Sequence, residues 1–400
     1  MISQKKRKVL FLMFAFPDMN KSFNMYTTLV EEFVNHGDEV TVLAPGNEKS
    51  GVFMENCIPV LRVQTLPIKN VPNYLKGISN VLLPYQFERA LNKFYKGKSF
   101  DLIISPTPPI TLVDLAAKLK RKFGAKFYLI LRDIFPQNAV DLGFMKKEGL
   151  IHRYFSRKER KLYKEADYIG CMSQGNIDYV MKHNPEVSTK KLHELKNYQK
   201  PYKGFGSDPD LIKKKYGITD KFVVVFGGNM GKPQQLENVL TLAESVLHFP
   251  DIVFLLLGEG VQMNKIEAEA RAKELTNINI QRTIPKQEYQ DLLSVCDVGL
   301  ISLHKDFTIP NIPSKALDYF NVGIPVLASL DRATDFGKIL DEEQCGLWSY
   351  AGDHQLFHEN LLKLYQSPDL TSTMGQNGNT YFKRCLTPEI AYNTILKYLN

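Results

Sequence analysis

Four short stretches of this 400-residue chain carry residue types that could handle an anionic ligand or a reacting hydroxyl. The first is Gly227-Gly228-Asn229-Met230-Gly231-Lys232-Pro233-Gln234-Gln235, directly after the apolar run 223–226. Glycines there let backbone amides approach a phosphate, and Lys232 can neutralise it, although the pattern is neither a GxGxxG nor a P-loop. The second is Ile309-Pro310-Asn311-Ile312-Pro313-Ser314-Lys315-Ala316-Leu317-Asp318. Pro313-Ser314 can open a helix with Ser314 in its first turn, where free amides suit a diphosphate and Lys315 adds charge. Asp318, one turn on, shares that face and could accept hydrogen bonds from a ribose diol. The third is the strand end Leu257-Gly258-Glu259-Gly260. The fourth is Arg132-Asp133, after the apolar run 127–131, where Asp133 could orient or deprotonate a hydroxyl. Each has a plainer alternative: tight glycine turns, a helix-to-strand turn with solvated Lys315 and Asp318, and an Arg–Asp pair capping a strand end. The five cysteines (Cys57, Cys171, Cys296, Cys345, Cys385) form no CxxC pair, so buried thiols are expected rather than a metal site or a disulfide framework.

The elements that must hold these residues alternate. Buried-strand candidates lie at 9–16, 39–44, 102–105, 126–131 and 168–172, with helical patterns such as 25–36 and 112–123 between them. A linker-like stretch, 198–210, follows. The pattern then restarts with strands at 222–226, 252–257, 278–280, 298–301 and 326–329 and helices at 235–248, 286–294 and 313–321. This predicts two doubly wound α/β domains with a boundary near residue 200 and a ligand crevice at the carboxyl ends of the strands.

Taken together, the Gly-Gly-Asn-Met-Gly-Lys loop, the Leu-Gly-Glu-Gly strand end, Ile284-Pro285, and Pro313-Ser314-Lys315…Asp318-Tyr319…Gly323-Ile324-Pro325-Val326 resemble the nucleotide-sugar domain of retaining glycosyltransferases of family four. The fold of that family is GT-B, two Rossmann-like domains with a central crevice. The resemblance extends over nearly the whole chain through His36-Gly37-Asp38-Glu39-Val40-Thr41-Val42, Asp101 to Thr107 and Arg132-Asp133-Ile134-Phe135-Pro136. It implies an acceptor-binding domain at 1–199, a nucleotide-sugar domain at 200–385, and a C-terminal helix at 386–400 crossing back to the first. It also implies that Gly228, Asn229, Gly231, Lys232, Gly258, Ile284, Ser314, Lys315, Ala316 and Asp318 hold the donor. Asp18, Asn20 and Arg132 would face the acceptor, and Asp133, Lys232 and Lys315 would act in catalysis. Two departures stand out. Pro310 occupies the place of the first of two glutamates usually found eight positions apart. The loop after the first strand, Phe16-Pro17-Asp18-Met19-Asn20-Lys21-Ser22, lacks the usual glycines.

The subgroup that the chain most resembles assembles capsule and O-antigen and includes N-acetylfucosamine transferases. The implied activity is metal-independent, cofactor-free transfer of a hexose-type sugar with retention. The nucleotide sugar, most commonly UDP-linked, is the donor and a lipid-linked saccharide the acceptor. With no inward pair of acids to serve as nucleophile and base, front-face displacement is the implied route, the departing diphosphate taking the acceptor proton.

Charge supports a division of labour. Residues 1–200 carry 32 Lys+Arg against 19 Asp+Glu (+13), and residues 201–400 carry 19 against 24 (−5), out of a total of +8. Two apolar-basic stretches, 71–98 and 145–168, hold much of the excess. The second forms a basic amphipathic helix in which Arg157, Lys158, Arg160 and Lys161 would meet an anionic membrane. No apolar run reaches the length of a spanning helix, so the expected location is cytoplasmic, peripheral on the inner face of the plasma membrane. The alternatives are a nucleotide-sugar epimerase of the same fold, a catalytically silent scaffold, or a nucleic-acid-binding protein. Against the last, the chain has no helix-turn-helix, zinc or RNA-recognition signature, so no nucleic-acid partner is expected.

Overall fold

The computed structural model describes residues 6–46, 48–67, 71–204, 206 and 208–399. It divides into two compact units: residues 1–196 with 388–400, and residues 197–387.

Unit 1 starts from β1 (Lys8–Leu12), whose Val9, Leu10, Phe11 and Leu12 are fully buried, as a strand covered on both faces requires. Asn24 opens α1 (Met25–Asn35) with a reciprocal cap. Its side chain accepts from the Tyr26 and Thr27 amides, and the Thr27 hydroxyl accepts from the Asn24 amide. The chain continues through β2 (Glu39–Gly46), the hairpin of β3 (Gly51–Glu55) and β4 (Ile58–Gln64), α2 (Asn73–Phe94), β5 (Leu102–Pro106) and α3 (Val113–Phe123). Then come β6 (Lys126–Leu131), α4 (Gln137–Asp141), α5 (Leu150–Glu165), β7 (Tyr168–Cys171), α6 (Gln174–His183) and β8 (Leu192–Glu194). The sheet order is β3-β4-β2-β1-β5-β6-β7-β8, parallel except for the β3–β4 pair.

Unit 2 contains α7 (Pro209–Tyr216), β9 (Phe222–Asn229), α8 (Glu237–Ser245), β10 (Ile252–Glu259), α9 (Met263–Ala272), β11 (Ile278–Gln281) and α10 (Lys286–Leu293). It continues with β12 (Val298–Ser302), α11 (Ala316–Val322), β13 (Val326–Leu330), α12 (Phe336–Glu342), β14 (Gly346–Tyr350), α13 (His354–Gln366) and α14 (Pro368–Cys385). Its six strands are all parallel, in the order β11-β10-β9-β12-β13-β14. Alternate residues of β9 feed opposite faces. Val223 and Val225 join the core built with Leu292, Phe320 and Phe382, while Val224 and Phe226 join the one built with Leu240, Ile266 and Leu361. Strand order reverses beside β1 in unit 1 and beside β9 in unit 2. The loops after these strands are therefore where a doubly wound sheet opens a ligand crevice.

The last helix, α15 (Pro388–Leu399), belongs to unit 1. The Tyr392 hydroxyl accepts from Arg7 at 3.0 Å and donates to Asp38 at 3.3 Å, and Tyr398 stacks on His193 with ring centres 3.6 Å apart. The division of the chain falls at 196/197 rather than after 199. Asn197 donates to the Ile312 carbonyl and the Gln199 amide to the Leu386 carbonyl, which ties both residues to unit 2. The β3–β4 hairpin, β8 and β14 are strands that the apolar pattern did not reveal.

Candidate active site

In unit 2 the two glycine-rich strand ends lie side by side. Gly258 pairs in register with Gly228, and Glu259 with Asn229. A Cβ on Gly258 would stand 1.9 Å from the Gly228 carbonyl oxygen, so only glycine allows the strands to run this close to their ends. Gly228 has φ +121, a conformation that side-chain-bearing residues rarely adopt. The chain then turns through Met230, fully buried, whose amide donates to the Glu259 carbonyl at 2.8 Å. Asn229 and Gly231 lie in contact, the Asn229 Nδ2 being 2.9 Å from where a Gly231 Cβ would stand. Lys232 is exposed and begins a 3-10 turn, Lys232–Gln234. The segment after β12 braces this turn: His304 donates its amide to the Pro233 carbonyl and Lys305 to the Gln235 side chain.

Lys315 reaches into the same place. Its Nζ donates to Gln234 Oε1 and lies 4.4 Å from the centre of the Phe226 ring. Its Cε lies 3.8 Å from where a Gly228 Cβ would be. Burial pushes this ammonium down to about 7, and among the described residues no carboxylate comes within ion-pair distance of it. The arrangement is a cation without a counter-charge above a glycine turn, which is what an anion site needs.

The helix behind Lys315 starts later than the sequence suggests. Lys315 is the N-cap of α11, which begins at Ala316, so Ser314 precedes the helix and is exposed. The physical reason is a tight turn. The Ala316 amide bonds to the Pro313 carbonyl and the Leu317 amide to Ser314, so these two donors are already used. Asp318, nearly buried, accepts at Oδ1 from Lys286 and from Gln199, the latter at 2.8 Å. It is thus a paired carboxylate rather than a solvated one. Ile284 packs on the core beneath this corner, and Ala316 is buried. Gln234, Gln199 and Lys286 are site groups that sequence reasoning did not single out, and a lone polar residue in a turn, linker or helix start carries no signal by itself. The Asp208-Pro209-Asp210 triplet opens α7, where Asp208 caps the Asp210 amide.

In unit 1 Asp133 follows β6. Its carboxyl is pushed upward by burial, and Tyr26, in the first turn of α1, feels its charge. The Arg132 guanidinium is buried and donates to the carbonyls of Leu195 and Lys196, at 2.9 and 3.4 Å. Its amide and that of Asp133 both donate to the Thr107 hydroxyl.

The glycine-free loop after β1 is held by side chains. Arg62, on β4, donates to both oxygens of Glu55 and to the carbonyls of Phe16 and Pro17, and Glu55 also accepts the Met19 amide. Asn20 accepts from the Asn56 amide, while the Asn56 side chain donates to Met19. Asp18 accepts the Asn20 amide and pairs with Lys21, which holds its carboxyl below the usual range. The Asp18 and Asn20 side chains thus shape the loop itself.

The basic helix α5 needs a correction. Lys158 and Lys161 both bind Asp114 of α3, and this ion pair turns them toward the domain. Arg157 and Arg160 are exposed, as are Arg153 and Lys164, beside Leu150 (84% exposed), Ile151 (64%) and Tyr154. On α2, Ile78, Val81, Leu82 and Tyr85 (65%) form a second exposed stripe, and the Lys158 ammonium lies 5.4 Å from the centre of the Tyr154 ring. No helix among the described residues is long and apolar enough to cross a membrane.

Comparison with known proteins adds the following. A family model described as glycosyl transferases group 1 matches residues 208–381, and one described as Glycosyltransferase Family 4 matches residues 24–197. WbjE of Pseudomonas aeruginosa, named as a glycosyltransferase, is 24% identical over 337 residues, covering 80% of this chain and 82% of that protein. WcaI of Escherichia coli K12, named as a glycosyl transferase of colanic acid biosynthesis, is 22% identical over 251 residues, covering 60% of each. HepE of Anabaena, solved with UDP, superposes with a TM-score of 0.71 at 14% identity over 98% of this chain and 99% of that one, a likeness of fold alone.

Proposed function

Because this chain belongs to the GT-B glycosyltransferases, with a family 4 half followed by a group 1 half, we propose a specific transfer. A sugar passes, with retention, from a UDP-linked donor to a lipid-linked saccharide during the assembly of a surface polysaccharide such as capsule or O-antigen. The observation that carries the donor half of this reading is Lys315, a half-buried cation with no carboxylate within ion-pair distance among the described residues, held above the Gly228 turn at the point where strand order reverses. Lys315 and Lys232 take the diphosphate. Asp318, anchored through Oδ1, offers Oδ2 to the ribose diol. UDP is favoured as carrier by the ligand of the solved relative HepE.

Unit 1 supplies the acceptor side. Asp133, half-buried at the end of β6, accepts a hydrogen bond from the incoming hydroxyl and orients it. The acceptor oxygen then bonds to the anomeric carbon on the face from which the diphosphate departs. The carbon–phosphate-oxygen bond breaks, the hydroxyl proton passes to the leaving phosphate oxygen, and Lys315 and Lys232 stabilise the charge gathering there. The apolar stripe of α2 and the apolar-basic face of α5 would rest on an anionic membrane that carries the acceptor.

The test uses the full chain. UDP, GDP and ADP are compared for thermal stabilisation, after which UDP-sugars are offered with a polyprenyl-diphosphate saccharide. UDP is expected to stabilise most, and the product to keep the donor's anomeric configuration by NMR. Inversion would eliminate the front-face route, and stabilisation by none of the three nucleotides would eliminate the donor site.

A further inference from the structure

We propose that Gln234 is a positioning residue for the donor phosphate: its neutral amide clamps the Lys315 ammonium in place without cancelling its charge. The inference rests on the reading of Lys315 as a diphosphate ligand and adds what keeps that cation available.

Three observations support it. The backbone of Gln234 is fixed. Its amide donates to the Gly231 carbonyl at 3.0 Å, the next amide donates to Lys232, and the preceding carbonyl accepts from His304. Gln235 turns the chain at φ +39, and the Gln234 side-chain oxygen accepts from Lys315. The Lys315 ammonium then meets only weak negative potential, the Gln234 carbonyl oxygen and the face of Phe226. An ammonium has three donors, so one bond to Gln234 leaves two for phosphate oxygens.

The charged groups at this end of unit 2 are otherwise engaged or lie apart. Asp318, on the helix that Lys315 caps, is bonded to Lys286, and Glu259, at the end of β10, accepts from Thr283. His304, after β12, lies beside Asp306, and Lys232 is exposed. Burial is accordingly the cause that lowers Lys315 to about 7. A glutamate at 234 would have the same shape and the same bond, but would compete with phosphate for the cation.

Calorimetric UDP titration of the full chain tests this, with Gln234→Glu and Gln234→Leu. Gln234→Glu should lose about tenfold or more in UDP affinity, the scale of one charge-assisted bond, and Gln234→Leu should lose less. The affinity of the wild type should decline above pH 7. In Gln234→Glu that decline should move to higher pH, because the new carboxylate holds the lysine proton. A purely structural clip would reverse the order, since leucine breaks the bond and glutamate keeps it. That order, or unchanged affinity and pH profile in Gln234→Glu, overturns the proposal. A wild type that binds no nucleoside diphosphate overturns the donor reading itself and this inference with it, a result told apart by its appearance before any substitution.

Discussion

The loops after β1 and β9 occupy equivalent places, each at the reversal of strand order in its own unit, yet they are built on opposite principles. The β9 loop uses glycine. Its backbone passes within contact of its neighbour, and its shape needs few side-chain bonds. The β1 loop has no glycine and is fastened by an almost buried Arg62–Glu55 pair that binds three of its backbone groups. A loop shaped by side chains has its polar groups committed to itself. A loop shaped by glycine leaves its cations for a ligand. In these terms the second unit is the better prepared to take an anion, despite its net negative charge.

The harshest way to break the comparison is Arg62→Met. It leaves the Glu55 carboxylate nearly buried without its cation, and removing one partner of such a pair costs about 3–5 kcal/mol. The urea midpoint of the transition belonging to unit 1 should fall while UDP affinity stays unchanged. An unaltered midpoint would mean that the loop does not depend on its brace.

Lys315→Ala probes the other loop, with effects in the opposite pattern. Turnover should fall roughly 100–1,000-fold, as for loss of one preorganised donor to developing charge. Thermal stability should not fall with it, because the cation lacks an internal ion pair. Equal losses of stability and turnover would make Lys315 a structural residue.

The smallest expected effect is a pair of opposed pH slopes. With its pKa near 7 in the folded chain, Lys315 is charged below that pH and neutral above it. UDP affinity should therefore fall by up to about tenfold per pH unit above 7, until the pKa of the bound state is reached. Stability should move the other way. Between pH 7 and the ordinary lysine range the unfolded chain binds a proton that the folded chain does not, so this group's contribution to stability rises with pH. Titrating Lys315→Ala beside the wild type isolates both slopes.

How much of this could be read from the sequence depended on whether the cause was local. The apolar runs of β6, β9, β10 and β13 are visible because strands covered on both faces must be apolar. The closeness of the β9 and β10 ends left a trace, since close backbone approach dictates glycine. The β3–β4 hairpin was hidden because its turn, Asn56-Cys57, takes two left-handed residues without a glycine to mark it. The α11 start was misplaced because Pro-Ser-Lys reads as a helix opening, whereas here it forms a tight turn ahead of one. Pairings across the chain were beyond reach. Whether Lys158 faces solvent is decided by Asp114, 44 residues away, and the state of Asp318 by Lys286, 32 residues away.

The return of α15 to unit 1 has a consequence for how the chain comes into being. Unit 2 is a continuous stretch and can complete its sheet as soon as residue 387 has left the ribosome. Unit 1 holds most of the first half of the chain, yet it lacks the Tyr392 and Tyr398 contacts until residues 388–399 emerge. The half that is made first is therefore finished later, and a chain that stops at residue 387 would be damaged at its beginning.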